Sequence, residues 1–244
     1  MADCVEICVD TPDGLQIAIA AGADRIELCS ALALGGLTPS AGMIQAASAI
    51  PVPALAMVRP RAGDFVWSPA ECRAMRDDIR ATRNAGLAGV VLGASCPDGT
   101  LDTDTLATLL SEAAGLATTL HRCFDLTPDP FAALEQAVTL GFDRILTSGQ
   151  ASSALQGLNL ITRLHAQASG RIIILPGGGI APANARRFFA TGLREVHASC
   201  SIAQAEDKRI AAFGFGPAEK RITSAHLVQA LVAASKESNG ADQC

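Results

Sequence analysis

Short runs of aliphatic and β-branched residues recur along the chain and alternate with longer segments whose apolar residues are spaced three or four positions apart. The short runs are typical of buried strands, and the longer spacing is typical of helices that cover a sheet. The pattern predicts eight strands, at 4–9, 25–29, 54–59, 89–92, 118–121, 144–147, 171–175 and 195–198. It predicts helices between them, at 12–22, 39–49, 69–84, 103–114, 130–139, 157–167 and 182–190.

Eight strand–helix units fit one domain of 244 residues. Parallel strands joined by helices in this number are typical of a (β/α)8 TIM barrel, which is the predicted fold. The domain is expected to span 1–244, with an irregular segment at 201–222 before a last helix at 223–236. A doubly wound open sheet is the alternative, although no G-x-G-x-x-G motif follows the first strand.

The composition is that of a folded globular protein, with 49% hydrophobic and 18% charged residues. The net charge of -5 includes no basic run, so a nucleic-acid partner is not expected. No apolar stretch approaches the ~20 residues that a membrane helix needs. The N-terminus also lacks the basic region of a signal peptide. Together these features predict a cytoplasmic protein with no membrane partner.

An acid–aliphatic–cysteine pattern occurs twice, in the first and second predicted strands. Strand alternation turns Glu6 and Cys8 to one face, and it does the same for Glu27 and Cys29. Because the two strands are expected to be parallel neighbours, both acids and both thiols should lie on one side of the sheet. The thiols could then share a soft ion such as Cu(I). Alternatively, barrel stagger separates them into different layers, and they remain buried thiols.

Polar residues also gather at the other predicted strand ends, which is where the chemistry of such barrels is located. Glutamate and histidine side chains meeting there are suited to acid–base catalysis, such as proton abstraction or isomerisation. The only lysines lie beyond the eighth strand, which argues against a Schiff-base aldolase. The candidate catalytic residues are Glu6, Glu27, His121, Asp125 and His197.

A glycine-rich loop after the seventh strand indicates an anion site, because glycines let the backbone approach a phosphate closely. The alternative for this loop is a tight turn that requires positive φ. Arginines after the third strand could hold a carboxylate or phosphate, although Arg61 could instead pair with Asp64. The candidate anion-binding residues are Arg59, Arg61, Ser148, Gly177, Gly178 and Gly179.

Several motifs between residues 4 and 200 resemble, in the same order, the CutC copper-homeostasis family. The resemblance departs from the family pattern at Ala62, Trp67 and Cys123, and after Ser201. The matching motifs are RIELCS at 25–30, GGLTPS at 35–40, MVRPR at 57–61, GDF at 63–65, HRCFD at 121–125, LTSG at 146–149, PGGGI at 176–180 and HAS at 197–199.

The resemblance implies a (β/α)8 fold, a cytoplasmic location, a link to copper, and a homo-oligomer that is a dimer or larger. It also implies that Cys8 and Cys29 are Cu(I) ligands. The sequence therefore supports two hypotheses. In the first, the chain is a copper-homeostasis protein that binds Cu(I). In the second, it is a TIM-barrel enzyme that uses Glu/His acid–base chemistry on a small phosphorylated or carboxylated metabolite.

Overall fold

The computed structural model describes residues 3–241 and contains an eight-stranded parallel sheet curled into a nearly closed barrel. The sheet order is β7-β6-β5-β4-β3-β2-β1-β8, and a parallel bridge between Gly177 and His197 joins the two outer strands. The predicted (β/α)8 barrel is thereby confirmed. The barrel strands are β1 Cys4–Val9, β2 Arg25–Leu28, β3 Ala54–Met57, β4 Gly89–Leu92, β5 Ala117–Leu120, β6 Arg144–Thr147, β7 Ile173–Pro176 and β8 Glu195–Ala198.

Helices connect successive strands and begin at the local signals that the sequence provides. Ser68 and Glu71 form a reciprocal capping box at the start of the longest connecting helix, α3. No helix within residues 3–241 combines the length and apolar character needed to cross a membrane. The helices are α1 Pro12–Ala20, α2 Ala41–Ala47, α3 Pro69–Asn84, α4 Thr103–Glu112, α5 Pro130–Leu140, α6 Leu158–Ala168, α7 Pro182–Phe189, α8 Lys208–Ala212 and α9 Ala225–Ala241, with short 3-10 helices at Leu32–Leu34 and Arg122–Leu126.

Alternation along the strands divides the buried residues into two regions. Outward-facing side chains such as Ile7 and Leu28 join the large core between the sheet and its helices. A smaller apolar cluster of Leu55, Met57 and Val91 packs with Cys29. Charged residues from β1, β2 and β8 also lie buried among the strands. Four of these buried residues, Glu6, Arg25, Glu27 and His197, lie on the three strands where the first and last βα units meet.

The same helix-to-strand connection is used twice, before β2 and before β6. Asp24 accepts a hydrogen bond from the Val5 amide at 2.9 Å, and Asp143 accepts one from the Thr118 amide at 2.7 Å. Each aspartate thus holds the beginning of the preceding strand against the strand that follows it. This agrees with the similarity of residues 21–25 and 140–144 in the sequence.

Residues 201–222, for which no regular element was predicted, contain strands and a short helix. Strand β9, Ser201–Ala205, pairs antiparallel with β10, Glu219–Thr223, and α8 lies between them. The hairpin is mostly exposed and carries Phe213 and Phe215 at 72% and 81% exposure. Because these strands bury little apolar surface, their sequence lacks the hydrophobic alternation from which strands are recognised. Helix α9 then returns to the barrel and packs against α7.

Candidate functional site

Strands β1, β2 and β8 bring together three buried side chains of the types that can bind a metal. Cys8 lies opposite Glu27 in the β1–β2 register, and Glu6 lies opposite His197 in the β1–β8 register. The Sγ of Cys8, a carboxylate oxygen of Glu27 and a ring nitrogen of His197 all lie within 4.8 Å of one another. We call these three residues, which come from both ends of the chain, the strand-end cluster.

One hydrogen bond, to Glu6, orients the imidazole of the cluster. The Nδ1 of His197 lies 2.7 Å from Oε1 of Glu6, and its Nε2 lies 3.7 Å from Oε2 of Glu27. The thiol of Cys29 donates to the same Glu27 oxygen at 3.5 Å. Cys29 is therefore next to the cluster and contacts it through Glu27, but it is not one of the three mutually close residues.

A buried charge network supports the cluster. Arg25 donates from Nε to Glu6 and from Nη2 to Glu195, both at 2.5 Å. Arg144 donates to the same Glu195 oxygen at 3.1 Å. The sequence reasoning assigned no role to these arginines or to Glu195. The sequence does contain a signal for the two arginines, because an Asp-Arg pair occurs at 24–25 and again at 143–144. Each pair places an arginine at the start of a strand.

The two carboxyl groups beside His197 have pKa values that are pushed in opposite directions. Burial opposes ionisation of Glu6, but Arg25 and His197 outweigh it and lower its pKa to about 2. Burial, together with the charge of Glu6, raises the pKa of Glu27 despite the opposing effect of His197. Burial alone would lower the pKa of His197, but Glu27 and Cys8 raise it well above its ordinary value. Divergent pKa values of this kind are typical of acid–base pairs.

The chemistry of the cluster is that of a metal site or of a proton-exchange site. Thiolate, imidazole and carboxylate are the protein ligands of Zn²⁺, while thiolates also select Cu(I). Glu6 takes the position that a carboxylate behind a metal-bound histidine commonly occupies. Within residues 3–241, Oε1 of Glu27 is buried and makes no hydrogen bond. This oxygen is therefore available to a ligand or a proton.

His121 lies at the end of β5 and takes part in different contacts. Its Nδ1 accepts a hydrogen bond from the Cys123 amide at 3.2 Å, and its ring lies 4.7 Å from that of Phe65. Burial, and then the nearby charge of Arg59, lower the pKa of His121 to about 3. Among the described residues, no hydrogen bond or ion pair joins His121 to the strand-end cluster. The histidines at the two strand ends thus have separate environments.

Asp125 organises the loop after β6 and does not contact the strand-end cluster. It accepts hydrogen bonds from the Thr147 hydroxyl, from the Ser148 amide and hydroxyl, and from the Gln150 amide. Arg122 pairs with Asp125 at 2.8 Å and also donates to the Ser148 hydroxyl at 2.6 Å. Asp125 was predicted to act in catalysis and Ser148 in anion binding. The polar atoms of these two residues are instead hydrogen-bonded to one another.

The remaining candidate anion-binding residues occupy different places. Arg61 pairs with Asp64 at 2.8 Å and with Glu71 at 2.5 Å, as the alternative interpretation of its role anticipated. Gly178 has a φ of 97°, and a Cβ there would lie 3.3 Å from Nη1 of Arg122. The glycine-rich loop, 177–179, therefore runs close beside a guanidinium group. Arg59 lies apart, buried against the loop that follows β2.

The fold and the cluster define a (β/α)8-barrel protein with a candidate metal site at its strand ends. The model of the CutC family matches residues 4–202. The chain therefore belongs to the CutC family, and the resemblance of its motifs is confirmed.

Individual relatives agree with this assignment. The chain is 54% identical to a family protein CutC of Sinorhizobium medicae, over 93% of this chain and 94% of that protein. It is 47% identical to the human copper homeostasis protein cutC homolog, over 80% of this chain and 72% of the human protein. A crystal structure of CutC from Streptococcus agalactiae superposes with a TM-score of 0.77 at 32% identity, over 81% of this chain and 98% of that one.

Proposed function

We propose that the chain acts in copper homeostasis by binding Cu(I) at the carboxyl ends of β1, β2 and β8. The observation that carries this proposal is the buried grouping of Cys8, Glu27 and His197 within 4.8 Å. The thiol of Cys29, 3.5 Å from Glu27, adds a second sulfur next to it. The name of the human relative, a copper homeostasis protein, supports the same function.

The donor set is compatible with Cu(I), which here is the cargo of the protein. Thiolate and imidazole are ligands that this soft ion favours, whereas carboxylate oxygen suits harder ions. We therefore assign Cys8, Cys29 and His197 as ligands, with Glu27 as the group that accepts a proton from a thiol. Glu6 acts as the positioning residue, since its bond to Nδ1 leaves Nε2 of His197 directed towards Glu27.

Cysteine variants test the assignment. Cu(I) affinity is measured without oxygen by competition with a chromogenic chelator, for the wild type and for Cys8→Ser, Cys29→Ser and Cys96→Ser. We expect the first two substitutions to weaken binding at least tenfold. Cys96 lies in the β4–α4 loop, outside the site, so its variant should match the wild type. Wild-type affinity in Cys8→Ser would contradict the site, and wild-type affinity in Cys29→Ser would remove Cys29 from it.

A second candidate function is acid–base catalysis on a small phosphorylated or carboxylated metabolite. It is favoured by the opposed pKa directions of Glu6 and Glu27 on the two sides of His197. The copper-free protein is incubated with a mixture of such metabolites, and their consumption is followed by mass spectrometry. Consumption that is lost in Glu27→Gln is the expected result. No consumption, or equal consumption by the variant, would contradict this function.

We also propose a cytoplasmic location. All seven cysteines within the described residues are free thiols, as is usual in a reducing compartment. Fractionation of cells that express the chain at its native level should recover it with cytoplasmic markers. Recovery with membrane or periplasmic markers would contradict this proposal.

A homo-oligomeric state, a dimer or larger, is proposed as well. Phe213 and Phe215 stack with their ring centroids 6.3 Å apart and remain largely exposed, which supports burial in an assembly. Light scattering on the purified protein should give at least twice the chain mass of 25.0 kDa. A mass of one chain at micromolar concentration would contradict the proposal.

A further inference from the structure

Arg59 is a buried cation whose hydrogen bonds all go to uncharged groups. Its side chain is bound through Nη1 to the carbonyls of Leu34 and Gly36, at 2.8 and 3.0 Å, and through Nη2 to that of Gly63 at 3.0 Å. Only 6% of the residue is exposed. Within residues 3–241 no carboxylate forms an ion pair with it. Buried charges in proteins are normally paired, because an isolated charge is costly to remove from water.

Part of the hydrogen-bonding capacity of this cation is unused. The Nε–H of Arg59 is buried and has no partner among the described residues. The three bonds to backbone carbonyls, two through Nη1 and one through Nη2, occupy three of the five N–H donors of the guanidinium. The guanidinium carbon lies 5.0 Å from the ring centroid of Phe65, which covers the group from one side. The Nε–H is therefore available to an incoming anion.

His121 supplies a second unused donor at the same aromatic ring. Since its Nδ1 accepts the Cys123 amide, the ring proton of the neutral form must be on Nε2. This Nε2–H is also buried without a partner in the described part of the chain. A Cβ at Gly93 would lie 2.3 Å from Cε1 of His121, so only glycine leaves room for the imidazole. The low pKa of His121 keeps it a donor at neutral pH.

We propose that Arg59 and His121 form a binding site for a small monocarboxylate, with Nε–H of Arg59 and Nε2–H of His121 donating to its oxygens. One unpaired positive charge matches the charge of one carboxylate, and the two buried, unpartnered ring and guanidinium nitrogens match its two oxygens. A phosphate dianion would leave one negative charge and several oxygens unpartnered. This inference deepens the second candidate function, since it names the ligand class and assigns His121 to ligand binding and not to proton exchange.

The site is close to the proposed copper ligands. The carbonyl of Gly36 accepts a hydrogen bond from Arg59, and Gly36 also packs tightly against Cys29. A Cβ at position 36 would lie 3.1 Å from the sulfur of Cys29. A carboxylate on Arg59 would therefore lie on the same side of the barrel as the second thiol. Carboxylate binding at Arg59 and His121 requires neither copper nor turnover. Its test can therefore succeed or fail independently of both candidate functions.

The test is an NMR titration of the copper-free protein with sodium acetate, against sodium chloride at equal ionic strength. The Arg59 Nε–H and His121 Nε2–H signals should shift saturably with acetate and not with chloride. Sodium phosphate is the third titrant. Saturation by phosphate without saturation by acetate would overturn the carboxylate assignment, and so would a chloride response equal to that of acetate.

Variants then test the two donors. Acetate affinity is measured by calorimetry, on samples whose circular dichroism spectrum matches that of the wild type. Arg59→Lys removes the Nε–H while keeping the charge, and His121→Phe removes the second donor. Each should weaken acetate binding at least tenfold, about 1.4 kcal/mol. His121→Gln, which retains an N–H, should restore part of the loss. Arg171→Lys, in an exposed pair with Glu135, should bind like the wild type. Wild-type affinity in both donor variants would overturn the proposal.

Discussion

Glu6 joins His197 to Arg25 through its two carboxylate oxygens. Oε1 lies 2.7 Å from Nδ1 of His197, and Oε2 accepts from Nε of Arg25 at 2.5 Å. The strand that carries Glu6, β1, pairs with both β8 and β2, on which its two partners lie. Glu6 is fully buried. Its carboxylate therefore links the candidate site to the contact between β1 and β8, the first and last strands of the barrel.

Substitution of Glu6 should destabilise the fold. Glu6→Gln leaves Arg25 and His197 without their shared countercharge in a buried site, and losses of this kind cost about 3 kcal/mol. Urea unfolding at pH 7 measures the change. Glu135→Gln, which removes an exposed partner of Arg171, is the control and should be close to the wild type. Equal stability of Glu6→Gln and the wild type would contradict a structural role for the network.

Copper binding at the strand ends should strengthen as pH rises. The raised pKa values of His197 and Cys29 mean that both groups hold protons near neutrality, and these protons must leave when a metal binds. Each displaced proton strengthens binding up to about tenfold per pH unit. Chelator competition between pH 6 and pH 8 measures the slope. Cys29→Ser should reduce it, whereas a wild-type affinity that is constant over this range would contradict the prediction.

His121 should make the fold less stable in acid. Its folded pKa of about 3 lies below the ordinary value of 6.5, so the unfolded chain binds a proton that the folded chain excludes. The stability due to neutral His121 is therefore complete above pH 6.5 and is lost as pH falls towards 3. Between those limits the loss is about 1.4 kcal/mol per pH unit.

Urea unfolding at pH 7, 6 and 5 tests this dependence. Other buried groups also titrate. The relevant quantity is therefore the free energy of unfolding of the wild type minus that of His121→Gln at each pH. The stability of the wild type relative to His121→Gln should decrease as the pH falls. His226→Gln, at an exposed position on α9, should follow the wild type. A constant difference between wild type and His121→Gln would contradict the prediction.

Gly93 should tolerate no side chain. In Gly93→Ala the added Cβ would lie 2.3 Å from Cε1 of His121 and 2.5 Å from Sγ of Cys123, so the imidazole must move. Overpacking of this kind costs about 2 kcal/mol. Gly42→Ala, in α2, meets nothing closer than 3.8 Å and should keep or slightly increase stability. Thermal unfolding compares the two, and equal midpoints would contradict the predicted clash.

The amino-acid sequence was enough to predict the eight strands, their alternation with helices and the face on which Glu6, Cys8 and Glu27 lie. These features follow from local periodicity, because side chains two residues apart on a strand share a face. It also anticipated the pairing of Arg61 with Asp64, which lies only three residues away. Such interactions need little knowledge of the rest of the fold.

Which of these side chains meet depends on how the strands pack in three dimensions. Barrel register places Cys8 opposite Glu27 and leaves Cys29 just beyond the end of β2, a separation that depends on strand stagger and not on composition. Asp125 is likewise engaged by the β6 loop, and Arg59 by carbonyls from its own loop and from the loop after β2. Periodicity specifies a direction for each side chain, whereas distances between strand ends depend on how all eight strands close into the barrel.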